Sequence, residues 1–253
     1  MTFSFRAFFP ALFLAFFCFA CESSTEENSG QGQVKADTIS PPPPPPIDTT
    51  PAISEYEQTF IDSGLVDIQA FIPGIKIDLK YSTTDNFVHT DVYGDLEKCY
   101  LRVDAAEKLK KAQELLQEEH PGYSLLVFDG VRPHRVQYKM WEVLDVPNKR
   151  NYLSPPDKGS VHNYGCAVDL TVVDSLGEQL DMGTEFDYFG ELAQPQLEAQ
   201  MMAKGELTEE QHANRLILRN AMKKAGFHMI RTEWWHFNAF GSKTVKHRFN
   251  IIP

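Results

Sequence analysis

Apolar residues recur at helical spacing in the segment that follows Asp104, with lysine and glutamate between them. Spacing of three to four residues places such positions on one face of a helix that can pack on a core. Asp104 is the predicted N-cap of this helix, and Pro121-Gly122 predicts its end. The apolar positions are Ala105, Leu109, Ala112 and Leu116.

Three segments have the pattern of strands. The run Tyr123–Phe128 is short and apolar and is followed by Asp129-Gly130, which is typical of a buried strand. The segments Cys166–Val173 and Phe227–Phe237 are predicted as two further strands.

Two more helices are predicted from their start signals. One follows Pro133 and continues through Trp141. The other opens with the capping box Thr208-Glu209-Glu210-Gln211 and ends near Gly226. Because strands and helices alternate irregularly and without an internal repeat, the pattern predicts an α+β domain with a mainly antiparallel central sheet covered by helices.

The first 20 residues have the layout of an export signal. Arg6 is their one charged side chain, and an apolar stretch runs from Ala7 to Ala20. This stretch is shorter than the roughly 20 residues that span a bilayer as a helix. The ending Cys18-Phe19-Ala20-Cys21 is similar to that of bacterial lipoprotein signals, so residues 1–20 are predicted to be removed and Cys21 to be lipidated. Ordinary signal cleavage is the alternative.

Residues 21–52 have almost no large apolar side chains and include six consecutive prolines, Pro41 to Pro46. Such a segment cannot bury enough surface to offset its ordering entropy. A polyproline II run of about 3.1 Å per residue makes a semi-rigid spacer. We therefore predict a tether that holds a domain of residues 53–253 at the outer surface or in the periplasm; a ligand for SH3-type domains is the alternative.

Charge and cysteine content exclude two classes. Lys and Arg number 24 against 35 Asp and Glu, giving a net charge of -11, and no basic run is present. Binding to nucleic acid is therefore not expected. Cys99 and Cys166 are too few for a disulfide scaffold and too far apart for a CxxC motif. Two buried thiols are expected, although an exported location would permit pairing.

Candidate metal ligands occur in two segments. His162 and Asp169 stand seven residues apart, and Asp169 lies inside an otherwise apolar strand candidate. Burying a carboxylate there is costly unless it is paired or binds a metal. His236 follows Glu233 and two tryptophans, whose bulk would exclude water. Two imidazoles and one carboxylate leave the fourth position of zinc open, as in catalytic sites, while a structural Asp–His pair is the alternative.

The remaining carboxylate and one arginine suggest a hydrolytic reaction. Glu233, outside the ligand set, can take a proton from water and pass it to a leaving amine. Arg132 lies at the predicted turn from strand to helix, where Pro133 restricts the backbone. A fixed cationic donor of this kind stabilises the developing oxyanion of a peptide bond. An ordinary surface arginine is the alternative.

These segments, in this order, resemble the zinc D-alanyl-D-alanine dipeptidases of the vancomycin-resistance type, within the wider group of D,D- and L,D-carboxypeptidases. The motifs that carry the resemblance are Asp129–Pro133, Ser160–Asp169 and Glu233–His236. Asp78–Phe87 and Met182–Asp187 resemble segments of the dipeptidase branch in particular. The similarity extends over nearly the whole of residues 53–253.

The resemblance implies one zinc ion per domain, in a cleft on the sheet. It implies Glu233 as general base and acid and Arg132 as the residue that holds the scissile carbonyl oxygen. Tyr81 and Ser160 match positions that line the substrate cavity. The implied zinc ligands are His162, Asp169 and His236.

Three functions follow from these expectations. The first is a lipid-anchored enzyme that hydrolyses D-Ala-D-Ala or a similar small dipeptide, favoured by the segment Asp78–Phe87. The second is a D,D- or L,D-carboxypeptidase that trims peptidoglycan stem peptides, favoured by export. The third is a non-catalytic lipoprotein that binds wall peptides, although a pure binder has no use for Glu233.

Overall fold

The structure, a computed structural model, describes residues 53–145 and 153–253. The predicted signal peptide, the tether and Cys21 lie outside these residues. The helices are α1 Glu55–Asp62, α2 Ile68–Phe71, α3 Val103–Glu119, α4 His134–Val143, α5 Glu198–Lys204, α6 Glu209–Lys224 and α7 Ser242–Arg248. The strands are β1 Leu65–Asp67, β2 Lys76–Ile77, β3 Tyr100–Arg102, β4 Ser124–Asp129, β5 Ala167–Val173, β6 His228–Met229 and β7 His236–Asn238.

Helices and strands are both present, as the sequence predicts, and the main sheet is mixed. It has five strands in the order β2-β4-β5-β7-β6. β2 pairs with β4 in parallel, whereas the pairs β4–β5, β5–β7 and β6–β7 are antiparallel. A separate antiparallel pair joins β1 to β3.

The central strands β4 and β5 are buried along their whole length. On one face, Leu125 and Val127 join Leu170 and Val172 in the main hydrophobic core. On the other face, Leu126, Phe128 and Val173 form a small cluster with Phe186. Since both faces are covered, apolar residues fill most positions of these strands on both faces, which explains why the sequence pattern identifies them.

A bulge in β4 brings two acidic residues into register. Val127 lies opposite Leu170, but Asp129 lies opposite Asp169, so the pairing shifts by one residue between them. Regular alternation would have paired Asp129 with Val168. On the other side of β5, Asp169 lies opposite His236 of β7. Asp129, Asp169 and His236 therefore form one row across three strands, and the bulge re-aims a side chain as bulges near functional sites do.

The predicted helix ends are partly right. Thr208 and Gln211 form the predicted capping box at the start of α6. Asp104, however, does not cap α3: the N-cap is Arg102, and Asp104 lies in the first turn. The helix starts earlier because it follows β3 directly. Asp104 instead accepts a hydrogen bond of 2.6 Å from Arg248 of α7 and still complements the helix dipole.

The predicted strand Phe227–Phe237 is wrong as a single strand. It divides into β6 and β7, which pair antiparallel, and the intervening residues form a loop. Apolar and aromatic content alone does not distinguish one strand from a hairpin. The consequence is functional, because this loop rather than a strand carries Glu233.

Both cysteines of the domain are buried and free, as expected. None of the helices in the described part of the chain is long and apolar enough to cross a membrane.

Candidate active site

The structure brings the three predicted metal ligands together. His162 lies on the 3₁₀ turn Val161–Tyr164, Asp169 on β5 and His236 on β7. Nε2 of His162 lies 3.2 Å from Nδ1 of His236 and 3.4 Å from Oδ2 of Asp169. Nδ1 of His236 lies 2.9 Å from Oδ1 of Asp169. Ligand atoms about 3.3 Å apart are what tetrahedral zinc with bonds of about 2.0 Å requires, so the group fits this metal.

Each histidine is oriented by a second contact through its other ring nitrogen. Nδ1 of His162 lies 2.8 Å from the carbonyl oxygen of Gly130. Nε2 of His236 lies 3.1 Å from the amide oxygen of Asn238. Both partners are acceptors, so each nitrogen beside them carries the proton. That leaves Nε2 of His162 and Nδ1 of His236 free to bind a metal.

Close packing around residue 130 leaves no room for a side chain, so this position requires glycine. A Cβ at this position would overlap Sγ of Cys99 and lie 3.1 Å from the carbonyl oxygen of Tyr100. A larger residue would push away the backbone whose carbonyl holds His162. The buried thiol of Cys99 thus has a packing role behind the site.

The electrostatics of the ligand group favour a positive charge at its centre. Burial alone would lower the pKa of His236, but Asp169 and Glu233 raise it to about 9. Burial opposes ionisation of Asp169, yet the two histidines hold the pKa of this carboxyl below its usual range. A cluster that attracts a proton this strongly also suits a cation that displaces the proton.

Glu233 lies beside the ligand group but outside it. Its carboxylate is 4.0 Å from Nδ1 of His236, and its side chain is 23% exposed. Burial raises the pKa of Glu233; His236 counteracts this effect and Asp169 adds to it. A carboxylate with a raised pKa next to a candidate metal position is suited to accept a proton and to release it again.

Asp129 holds Arg132 in place. Oδ2 of Asp129 accepts hydrogen bonds from Nε and Nη2 of Arg132 at 3.1 and 2.5 Å. Its Oδ1 accepts from the hydroxyl of Tyr93 at 2.5 Å. The guanidinium is buried and lies over the ring of Tyr81, 5.0 Å from the ring centroid. Sequence reasoning assigned no role to Asp129 or Tyr93, although Asp129 stood in the motif that identified Arg132.

A cavity of about 490 Å³ contains this site. Tyr81 and Ser160, predicted as cavity residues, both line it. The hydroxyl of Tyr81 donates a hydrogen bond of 2.9 Å to Asp187, which also lines the cavity and has a φ of 61°. Ser160 caps the turn that carries His162 by accepting from its backbone N–H at 3.4 Å. Asp187 was missed as a separate residue, because a single Asp in a loop gives no signal in the sequence.

Comparison with known proteins decides the family. A model of the D-ala-D-ala dipeptidase family of peptidases matches residues 62–252, almost all of the described domain. The chain belongs to this family. It is therefore a metallopeptidase, in agreement with the resemblance seen in the sequence.

Three relatives indicate the extent of the similarity. The D-alanyl-D-alanine dipeptidase of Escherichia coli is 34% identical over 184 residues, covering 68% of this chain and 83% of the relative. The D-alanyl-D-alanine dipeptidase of Enterococcus faecium is 31% identical over 194 residues, covering 70% of this chain and 92% of the relative. The D-alanyl-D-alanine dipeptidase of Enterococcus faecalis is 28% identical over 208 residues, covering 76% of this chain and 98% of the relative. The chain therefore matches each of these three relatives over most of the relative's length.

Proposed function

We propose that the enzyme hydrolyses D-Ala-D-Ala or a similar small dipeptide, with one zinc ion held by His162, Asp169 and His236 in a cleft on the sheet. The observation that carries this proposal is the convergence of these ligand atoms within 4.8 Å. They converge in a cavity that also presents Glu233 and Arg132. The substrate is that of the named relatives.

His162, Asp169 and His236 would hold the zinc ion, which would supply a Lewis acid and lower the pKa of a bound water. Glu233 is placed to take the proton of the attacking water. When the C–N bond of the tetrahedral species breaks, the same carboxyl group donates that proton to the leaving amine nitrogen. Glu233 must bind one proton and then release it in each turnover. Its raised pKa favours the first of these transfers, because it makes the carboxylate a stronger base than an ordinary glutamate.

Arg132 is placed to stabilise the carbonyl oxygen as it gains negative charge. Its hydrogen bonds to Asp129 and to Gln137, the latter of 3.3 Å, fix the plane of the guanidinium. A donor held in place before the reaction has no reorganisation to undergo in the transition state. The guanidinium is buried and lies over the ring of Tyr81, and the low dielectric of a buried position strengthens this interaction.

The test uses the zinc-loaded domain with three substrates: D-Ala-D-Ala, L-Ala-L-Ala and a peptidoglycan pentapeptide ending in D-Ala-D-Ala. Released alanine is measured, with Glu233→Ala as the inactive control. We expect turnover of D-Ala-D-Ala alone. Preferred release from the pentapeptide would make the enzyme a carboxypeptidase, and tight binding without turnover of any peptide would make it a binding protein.

We propose further that the protein is exported and anchored through a lipid on Cys21. The support is the sequence itself: an apolar stretch that ends in Ala20-Cys21, followed by the proline-containing segment of residues 21–52. Cells supplied with a radioactive fatty acid should label the wild-type protein and not Cys21→Ser. An unlabelled wild type found outside the cell would indicate ordinary secretion.

A further inference from the structure

Two lysines line the active-site cavity on the side of the His162 turn. Lys158 precedes Ser160, and Lys246 lies on α7, which packs against the turn Val161–Tyr164. Nζ of Lys246 donates a hydrogen bond of 2.8 Å to the carbonyl oxygen of Lys158. This bond attaches α7 to the chain before the turn, so the two lysines form one cationic edge of the cavity.

These lysines differ from the third cationic residue of the cavity lining, Arg132. Asp129 and Gln137 already accept hydrogen bonds from the Arg132 guanidinium. The ammonium group of Lys158 has no hydrogen-bond partner among the described residues. That of Lys246 is bonded to a neutral carbonyl, so its charge is not neutralised there. Arg132 is already assigned to the scissile carbonyl oxygen, so among the described lining residues Lys158 and Lys246 supply the cationic charge that is available to a second anionic group of a ligand.

The rest of the cavity lining has acidic, aromatic and small polar groups. Tyr81 bonds to Asp187, and the rings of Phe87 and Phe189 lie 4.9 Å apart. Close to Lys158 in the chain, Ser160 supplies a hydroxyl and Val161 a half-buried apolar side chain. An amino acid residue with a small apolar side chain and a carboxylate matches the chemistry of Ser160, Val161 and the two lysines.

We propose that Lys158 and Lys246 bind the free C-terminal carboxylate of the substrate and thereby restrict the enzyme to peptides whose scissile bond precedes the last residue. The proposal rests on the proposed function, since it assigns one end of that substrate. The leaving residue would place its carboxylate at the two lysines and its small side chain against Val161. Both lysines are exposed, so their effect is expected to be moderate singly and larger together.

The test compares D-Ala-D-Ala with its C-terminal amide, which lacks the negative charge. KM and kcat are measured for the wild type, Lys158→Ala, Lys246→Ala and the double variant. Lys243→Ala is the matched control, because Lys243 lies on the exposed part of the same helix and does not line the cavity. Calorimetric binding of both peptides to the same proteins in a Glu233→Ala background gives a readout that does not need turnover.

We expect the double variant to raise KM for the free dipeptide about tenfold, the size of a lost charge-assisted hydrogen bond, and to leave KM for the amide and both kcat values nearly unchanged. Added salt should raise the wild-type KM for the free dipeptide and have little effect on the double variant. Equal changes for acid and amide, or none in the double variant, would overturn the proposal.

The outcomes also separate this proposal from the proposed function. A wild type that binds the free dipeptide more tightly than the amide without hydrolysing it would contradict the proposed function and still support the lysine site. A wild type that hydrolyses both peptides equally well would support the proposed function and contradict the lysine site. Thermal unfolding of each variant shows whether it retains the wild-type fold.

Discussion

The amide oxygen of Asn238 lies 3.1 Å from Nε2 of His236, two residues earlier on the same strand. Residues at this spacing face the same side of a strand, so β7 supplies both a candidate ligand and the acceptor that orients it. The contact fixes the proton on Nε2 and turns Nδ1 toward Asp169. The orientation of His236, a ligand recognised in the sequence by its residue type, thus depends on Asn238, which no sequence motif selects.

Replacement of Asn238 tests this relationship. Asn238→Ala removes the acceptor, so His236 can rotate or change tautomer, and zinc affinity should fall about 10- to 100-fold. Competition with a coloured chelator measures it. Asn238→Asp, which keeps an acceptor, should bind zinc far better than Asn238→Ala. His228→Ala is the matched control, because His228 lies opposite Asn238 in the sheet but is exposed. Unchanged affinity in Asn238→Ala would show that the contact does not orient the ligand.

Replacement of Glu233 separates chemistry from metal binding. Glu233→Ala leaves the three ligands in place, so zinc content should stay at the wild-type level. The rate should fall by roughly 10²–10⁴-fold, since the proton shuttle is lost. Both quantities are measured on one preparation. Loss of zinc would identify Glu233 as a ligand, and near-normal turnover would remove it from the mechanism.

The rate should depend on the planar shape of the side chain at position 132 as well as on its charge. Arg132→Ala should retain zinc and lose about 10²–10³-fold in kcat. Arg132→Lys should recover little, because a point charge on a flexible stem does not reproduce a planar fork held by Asp129. Asp129→Asn should lower kcat with less effect on zinc content. Substantial rescue by lysine would mean that charge alone is sufficient at this position.

Asp187 should make stability depend on pH in an unusual direction. Burial raises its pKa well above the ordinary value, and Asp169 adds to the effect. The folded protein therefore binds this proton more tightly than the unfolded chain, whose carboxyl has a pKa of about 3.9. The stability that protonation contributes is present below that pH and is lost as pH rises through the raised pKa. Asp187→Asn, which keeps an acceptor for Tyr81, should be more stable than the wild type at neutral pH and equal to it near pH 3.

Thermal unfolding of the metal-free domain across this pH range measures the difference. Asp181→Asn is the control with the opposite sign, because hydrogen bonds from Gln211 and the backbone of Gly183 lower the pKa of Asp181. That variant should lose stability at neutral pH. An Asp187→Asn protein less stable than the wild type at neutral pH would show that the buried charge is compensated in the folded state.

The sequence predicted the elements whose identity depends on local chemistry. β4 and β5 are identifiable because apolar residues fill most positions of strands buried on both faces, and α6 because its capping box is a local hydrogen-bond pattern. Asp169 was selected for the same kind of reason, since a carboxylate in an apolar strand requires a partner.

Tertiary structure decided what depends on residues far apart in the chain. The bulge that places Asp129 opposite Asp169 depends on strand register, which the apolar run does not encode. Division of Phe227–Phe237 into two strands brought Glu233 into the cavity on a loop. Asp187, Asn238 and the two cavity lysines are ordinary polar residues in the sequence. Packing gives them their roles, because only the folded chain sets the distance from each of them to the candidate metal ligands and the cavity.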